Sequence, residues 1–259
     1  MPEGDTVWRA ARRLRAALEG HELTRCDLRV PQAATIDLSG HVVDEVLSRG
    51  KHLLIRVGDA SIHSHLKMEG LWHVYRHGAR WGRPAHMARA VLETSERQAV
   101  GFSLGILEVL QRDKDDEALA YLGPDLLGPD WDLEEAVRRV SADPDRPIYL
   151  ALLDQRNLAG LGNEYVTELL FVSGLHPARP VGEVPDVARV VARGQKMLDV
   201  NKDRLQRTFT GDTRPGRERW MYGRERARCR RCDGPIRSGD LGDRPTAERT
   251  TMWCPHCQR

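Results

Sequence analysis

The sequence predicts an α+β multidomain protein: an N-terminal antiparallel β-sandwich with a leading helix, then a helical domain, then a small C-terminal ribbon built on cysteines. Three observations carry that prediction. Apolar residues recur at helical spacing over 6–19, and short Val/Ile/Leu-rich runs fill about 23–110. Helical periodicity returns beyond a Gly/Pro-rich stretch at 122–130, and two Cys-x-x-Cys pairs close the chain. The expected domains are 1–121, 122–220 and 221–259.

In the first helix Val7, Ala11, Leu14 and Leu18 share one face, with Thr6 as N-cap and Gly20 as stop. Strand candidates include 41–47, 52–57, 61–66, 71–75, 89–92 and 106–110, separated by Gly-, Asp- and Arg-containing turns, and Leu28-Arg29-Val30 is strand-like. Cys26, beside Leu28-Arg29-Val30, reads as a small core residue. Helices are expected at 132–141, 147–156, 164–173 and 186–200. The segment from about 221 is too short for a core of its own and would fold around a metal.

The chain has 259 residues, 40% hydrophobic and 30% charged, which suits a globular protein and argues against wholesale disorder. No stretch approaches the roughly 20 apolar residues of a membrane helix, and the first residues lack the basic and apolar regions of a secretory signal. A cytoplasmic protein is expected. Charge is unevenly spread. Residues 196–259 carry 16 Lys/Arg against 9 Asp/Glu, whereas the remainder carries 24 against 29. A basic end on a mildly acidic body fits contact with a polyanion, although a solvated Arg-rich tail has the same composition.

Cys229-Arg230-Arg231-Cys232 and Cys254-Pro255-His256-Cys257 are separated by 21 residues. Two such knuckles suit one tetrahedral Zn²⁺, and four thiolates leave no open position for water, so the metal would be structural. Redox-active pairs or unrelated buried cysteines are the alternatives. His256 lies within the second knuckle as a bystander. His63 and His65 share a strand face, but no third and fourth ligand stands at metal spacing.

Met1 precedes Pro2, which is compact enough for the methionine to be removed, exposing a secondary amine. An α-amino group is far more often unprotonated near neutrality than a lysine side chain, and the positive end of a helix favours that form further. Such an amine can attack an aldehyde-like carbon to give an iminium, with Glu3 beside it to shuttle a proton. Taken alone, Pro2-Glu3 reads as no more than a frayed helix start.

The motifs form an ordered series. Pro2-Glu3-Gly4, Arg49-Gly50-Lys51, Ser64-His65-Leu66-Lys67-Met68-Glu69-Gly70, Leu122-Gly123-Pro124-Asp125, Leu161-Gly162-Asn163-Glu164-Tyr165, Tyr222-Gly223-Arg224 and the four-cysteine segment ending Cys257-Gln258 occur in that order. Together they closely resemble the formamidopyrimidine-DNA glycosylase/endonuclease VIII family of bifunctional DNA repair enzymes, nearly from end to end. Pro2-Glu3-Gly4 resembles the endonuclease VIII branch more than the purine-directed branch.

The resemblance implies a helix–two-turn–helix domain after the sandwich, a zinc ribbon, and damaged DNA lying between the domains of a monomer. Pro2 would attack C1′ of the damaged nucleotide and Glu3 would protonate the opening sugar. Lys51 would contact phosphate and assist strand cleavage by β,δ-elimination. Arg249 would grip the phosphates flanking the lesion, with Arg244 as its competitor. Met68 would fill the hole left by the displaced nucleotide, with Lys67 near the phosphates, while Asn163 and Tyr222 would contact DNA. Tyr121 stands where some relatives carry a DNA-contacting arginine. Oxidised pyrimidines are the expected substrates. An oxidised-purine glycosylase and a non-catalytic binder of damaged DNA are the alternatives.

Overall fold

The computed structural model describes residues 2–244 and 247–259, so Met1, whose removal the sequence suggests, lies outside them. The chain forms two compact units, Met1–Tyr121 and Leu122–Arg259. The first opens with helix α1 (Gly4–Leu18). It continues through β1 (Arg25–Leu28), β2 (Val43–Arg49), β3 (His52–Val57), β4 (Ala60–His65), β5 (Leu71–Arg76), β6 (Ala88–Glu93), β7 (Arg97–Phe102) and β8 (Ile106–Gln111). A single helical turn, α2 (Asp115–Ala118), follows.

These strands make two four-stranded antiparallel sheets, ordered β1-β6-β7-β5 and β2-β3-β4-β8. Alternation along each strand turns one side chain in two inward, so Val46, Leu53, Ile55 and Ile62 meet Leu28, Ala90, Leu92 and Ala99 in one core. The buried stripe of α1, made by Val7, Ala11, Leu14 and Leu18, joins the same core, as does Cys26.

The helix starts two residues earlier than its apolar stripe suggests. Glu3 rather than Thr6 is the N-cap, and its backbone carbonyl accepts from the Thr6 and Val7 amides at 2.9 and 3.1 Å. At the other end Gly20 takes the left-handed conformation expected of a stop, φ 79°. β7 lies outside the runs named above, and β1 starts three residues before the strand-like Leu28-Arg29-Val30.

The second unit contains α3 (Leu133–Val140), α4 (Ile148–Leu153), α5 (Asn163–Ser173) and α6 (Val187–Lys202), followed by the hairpin β9 (Arg237–Leu241) and β10 (Arg249–Trp253). α5 is buried nearly all round from Glu164 to Phe171. One side packs with α4 and α6 through Val166, Leu169, Leu152 and Val191, whereas Phe171 joins Met221, Ile236, Met252, Cys229 and Cys254 in a separate small cluster. The cysteine ribbon thus borrows its apolar floor from α5. No helix among the described residues is long and apolar enough to cross a membrane.

Candidate active site and metal centre

Pro2 is half-buried just ahead of α1, and the neighbouring Glu3 is fully buried at the positive end of the helix. The far end of the helix is tied to β2: Arg15 donates to the Val46 carbonyl at 2.6 Å, the Val46 amide donates to a Glu19 carboxylate oxygen at 2.9 Å, and Glu19 bridges Val43.

Lys51 sits in the turn between β2 and β3. Arg49 pairs with His52, leaving Gly50-Lys51 as a two-residue hairpin loop whose first position has φ 57°. The next turn at the same end carries Lys67 and Met68, because His52 also pairs with His65. The Gly70 amide closes this turn on the Leu66 carbonyl at 2.9 Å, and the Lys67 amide donates to His65 Nδ1 at 2.9 Å. Lys67 is held left-handed at φ 53°, with its side chain lying against Gly105, where a Cβ would collide with it. Met68 is 63% exposed.

Between the two lysine turns lies a polar chain that sequence reading missed. The Tyr121 hydroxyl meets His52 Nε2 at 2.9 Å, His52 Nδ1 meets His63 Nε2 at 2.8 Å, and His63 Nδ1 meets a Glu108 carboxylate oxygen at 2.7 Å. Both linking rings are buried. Burial, reinforced by His65, His63, Lys67 and Lys51, pushes the His52 value down to about 3. Burial and the two lysines likewise take His65 to about 4. The His63–His65 alternation was the visible part of this arrangement; its partners follow only from the register of β3, β4 and β8.

In the second unit Asn163 is the first residue of α5. Its Oδ1 accepts from Tyr149 at 2.8 Å and from Thr167 at 3.2 Å, and its Nδ2 donates to the Thr250 carbonyl at 2.9 Å. A carbonyl can only accept, which fixes the amide's orientation. Asn163 is therefore brought beside β10, whose first residue is the exposed Arg249. Arg244 is also exposed, in the connection between β9 and β10.

Two further α5 carboxylates tie down the segment before the ribbon. Glu164 accepts from Arg207 and Arg219, both at 2.7 Å. Glu168 is fully buried and accepts the backbone amides of Trp220, Met221 and Tyr222, each at 2.8 Å. Burial nevertheless pushes its carboxyl up to about 7. Tyr222 is thus set by its backbone, and its ring packs on the apolar cluster under the ribbon.

The four Sγ atoms of Cys229, Cys232, Cys254 and Cys257 lie within 4.8 Å of one another, and all four thiols are free. Cys232–Cys254 and Cys229–Cys257 are 3.4 and 3.9 Å apart. A disulfide would bring sulfurs to about 2 Å. A tetrahedron of thiolates about 2.3 Å from one metal has edges near 3.8 Å, so the donor set could hold such an ion. The Cys254 amide donates to Gln258, whose own amide reaches the Leu175 carbonyl at 2.8 Å, anchoring the second knuckle to the end of α5.

Two domain families match the chain: the formamidopyrimidine-DNA glycosylase N-terminal domain over residues 1–103 and the formamidopyrimidine-DNA glycosylase H2TH domain over 122–199. The DNA-(apurinic or apyrimidinic site) lyase Nei2 of Mycolicibacterium smegmatis is 59% identical over 258 residues, covering 100% of this chain and 99% of that protein. Endonuclease 8 2 of Mycobacterium tuberculosis is 54% identical over the full length of both chains. Among solved structures, the Lactococcus lactis Fpg in complex with an abasic site containing DNA superposes with a TM-score of 0.81 at 23% identity, over the whole of both chains. The chain therefore belongs to the formamidopyrimidine-DNA glycosylase family of DNA glycosylase–lyases, among the members that carry the endonuclease 8 name.

Proposed function

We propose that this protein removes oxidised bases, pyrimidines above all, from DNA and then cleaves the strand at the abasic site. The observation that carries the reading is the half-buried Pro2 beside a buried Glu3 carboxyl at the positive end of α1, in a chain 59% identical to a named abasic-site lyase. With Met1 removed, the Pro2 amine attacks C1′ of the damaged nucleotide. The glycosidic bond breaks, the base leaves with its electron pair, and an iminium joins Pro2 to the sugar. Glu3 delivers a proton to the ring oxygen as the sugar opens.

Lys51 and Lys67 supply cationic contacts to backbone phosphates from the two adjoining turns, and Met68 inserts its apolar side chain where the nucleotide has left the stack. Asn163, Tyr222 and Arg249 hold the strand from the second unit, where a guanidinium can bind phosphate through two parallel hydrogen bonds. The four cysteines hold one Zn²⁺ as a structural ion that fixes the ribbon carrying Arg249. Loss of the C2′ proton expels the 3′ phosphate, and a second elimination expels the 5′ phosphate. Its curated relatives are bacterial, and the reading places the protein in the cytoplasm, on nucleoid DNA.

Borohydride trapping with an abasic-site duplex tests the activity. A covalent protein–DNA adduct is expected from the wild type and lost in Pro2→Gly; DNA binding without an adduct rejects catalysis. Duplexes with thymine glycol, dihydrouracil or 8-oxoguanine then test the substrate. Faster excision of 8-oxoguanine than of the pyrimidine lesions would reject the pyrimidine preference.

A further inference from the structure

The chain Tyr121–His52–His63–Glu108 has two solvent-facing ends and a buried middle. Tyr121 is 49% exposed and the Glu108 side chain 44%, whereas His52 and His63 are 8% and 4% exposed. Its hydrogen bonds can run in only one direction at a time. A Glu108 carboxylate accepts, so His63 Nδ1 donates to it and a neutral His63 must accept at Nε2. His52 then donates from Nδ1 and accepts at Nε2, and the Tyr121 hydroxyl is committed as donor to His52.

One added proton reverses the chain. It enters at the Tyr121 oxygen, the original phenolic proton passes to His52 Nε2, and the proton on His52 Nδ1 passes to His63 Nε2. Tyr121 remains a neutral phenol and His52 a neutral imidazole, while His63 becomes an imidazolium paired with Glu108. The Tyr121 O–H is now turned outward.

The groups facing these rings are Lys51 in the β2–β3 turn, Lys67 in the turn after β4, His65 on β4, Glu108 on β8 and Tyr121. The two ammonium groups and burial keep His52 neutral, which directs the charge to the ring beside the carboxylate. They also make this end of the sheet attractive to an anion.

We propose that Tyr121 is a ligand for a DNA backbone phosphate, and that His52, His63 and Glu108 are positioning residues that release its hydroxyl by taking up one proton when DNA binds. The inference rests on the reading that this protein binds abasic DNA. A phosphate accepts hydrogen bonds and does not donate them, so it selects the reversed chain, and by linkage affinity falls as protons become scarce.

The test is binding of a duplex carrying the tetrahydrofuran abasic analogue, measured at constant salt between about pH 5.5 and pH 8, the range in which histidines titrate. The wild type, Tyr121→Phe and Glu108→Gln are compared. The wild type should lose affinity with rising pH, by at most about tenfold per pH unit for one linked proton, beyond any loss shared with Tyr121→Phe. Tyr121→Phe should bind like the wild type at the alkaline end and more weakly at the acidic end. Glu108→Gln removes the anion beside His63, so the loss of affinity should move to lower pH. A Tyr121→Phe profile parallel to the wild type overturns the proposal. Should that variant fail to fold, a Glu108→Gln profile matching the wild type overturns it alone. Failure of the wild type to bind at any pH defeats both this inference and the proposed function, whereas wild-type binding with coincident profiles defeats the inference only.

Discussion

The Asn163 amide donates to the Thr250 carbonyl at 2.9 Å, joining the first residue of α5 to the ribbon strand one residue from Arg249. With the Thr167–Thr251 hydroxyl contact at 3.3 Å, it ties the start of the helix to the hairpin. Replacing Asn163 by Ala removes the acceptor to which the Tyr149 hydroxyl donates and the tie to β10. The expected cost is about 1–3 kcal/mol of stability in a urea titration. Cleavage of abasic DNA should slow by roughly tenfold or more, since a loosened group near the substrate loses orientation. Unchanged unfolding and cleavage would show that the tie is dispensable.

Glu168 gives a signed pH effect. Its folded value of about 7 lies above the usual 4.5, so between these values the folded protein keeps a proton that the unfolded chain has lost. Stability therefore falls as pH rises across that window, by on the order of 3 kcal/mol. Glu168→Gln cannot titrate, and its stability relative to the wild type should improve from about pH 5 to about pH 8. Parallel stability profiles would contradict the assignment.

Loss of the metal should be local. The ribbon packs on Phe171 and Met221, whereas the sandwich has its own core around Leu14, Val46 and Leu92. Cys254→Ser should lose stoichiometric zinc by elemental analysis and lose DNA binding, with the β3 and β4 amides still protected from hydrogen exchange. Full DNA binding by a zinc-free protein would refute the structural role.

Arg249 and Arg244 can be separated by salt. Each phosphate contact adds nearly one to the slope of log affinity against log salt. Arg249→Ala should lower that slope by about one and slow strand cleavage, and Arg244→Ala should change both less. The opposite ranking would assign the phosphate grip to Arg244.

Legibility in the sequence followed the range of each interaction. α1 showed in its apolar stripe, and the cysteine knuckles showed in their spacing, because both patterns are local. The helix start was read late because Glu3 caps with its backbone carbonyl, which leaves no side-chain mark. β7 was obscured by Gly101 within a short run and is stabilised by pairing with both β5 and β6. The link from His52 to His63 was hidden for a similar reason: it depends on the pairing of β3 with β4, and its end residue Tyr121 arrives 69 positions after His52.

Peptide mapping of the borohydride-trapped complex tests the central chemistry most directly. After nuclease and trypsin digestion, the sugar remnant should appear on the peptide spanning residues 2–9, at the Pro2 nitrogen, with Met1 absent. Attachment to Lys51 instead, or a trapped protein that retains Met1, would contradict the account.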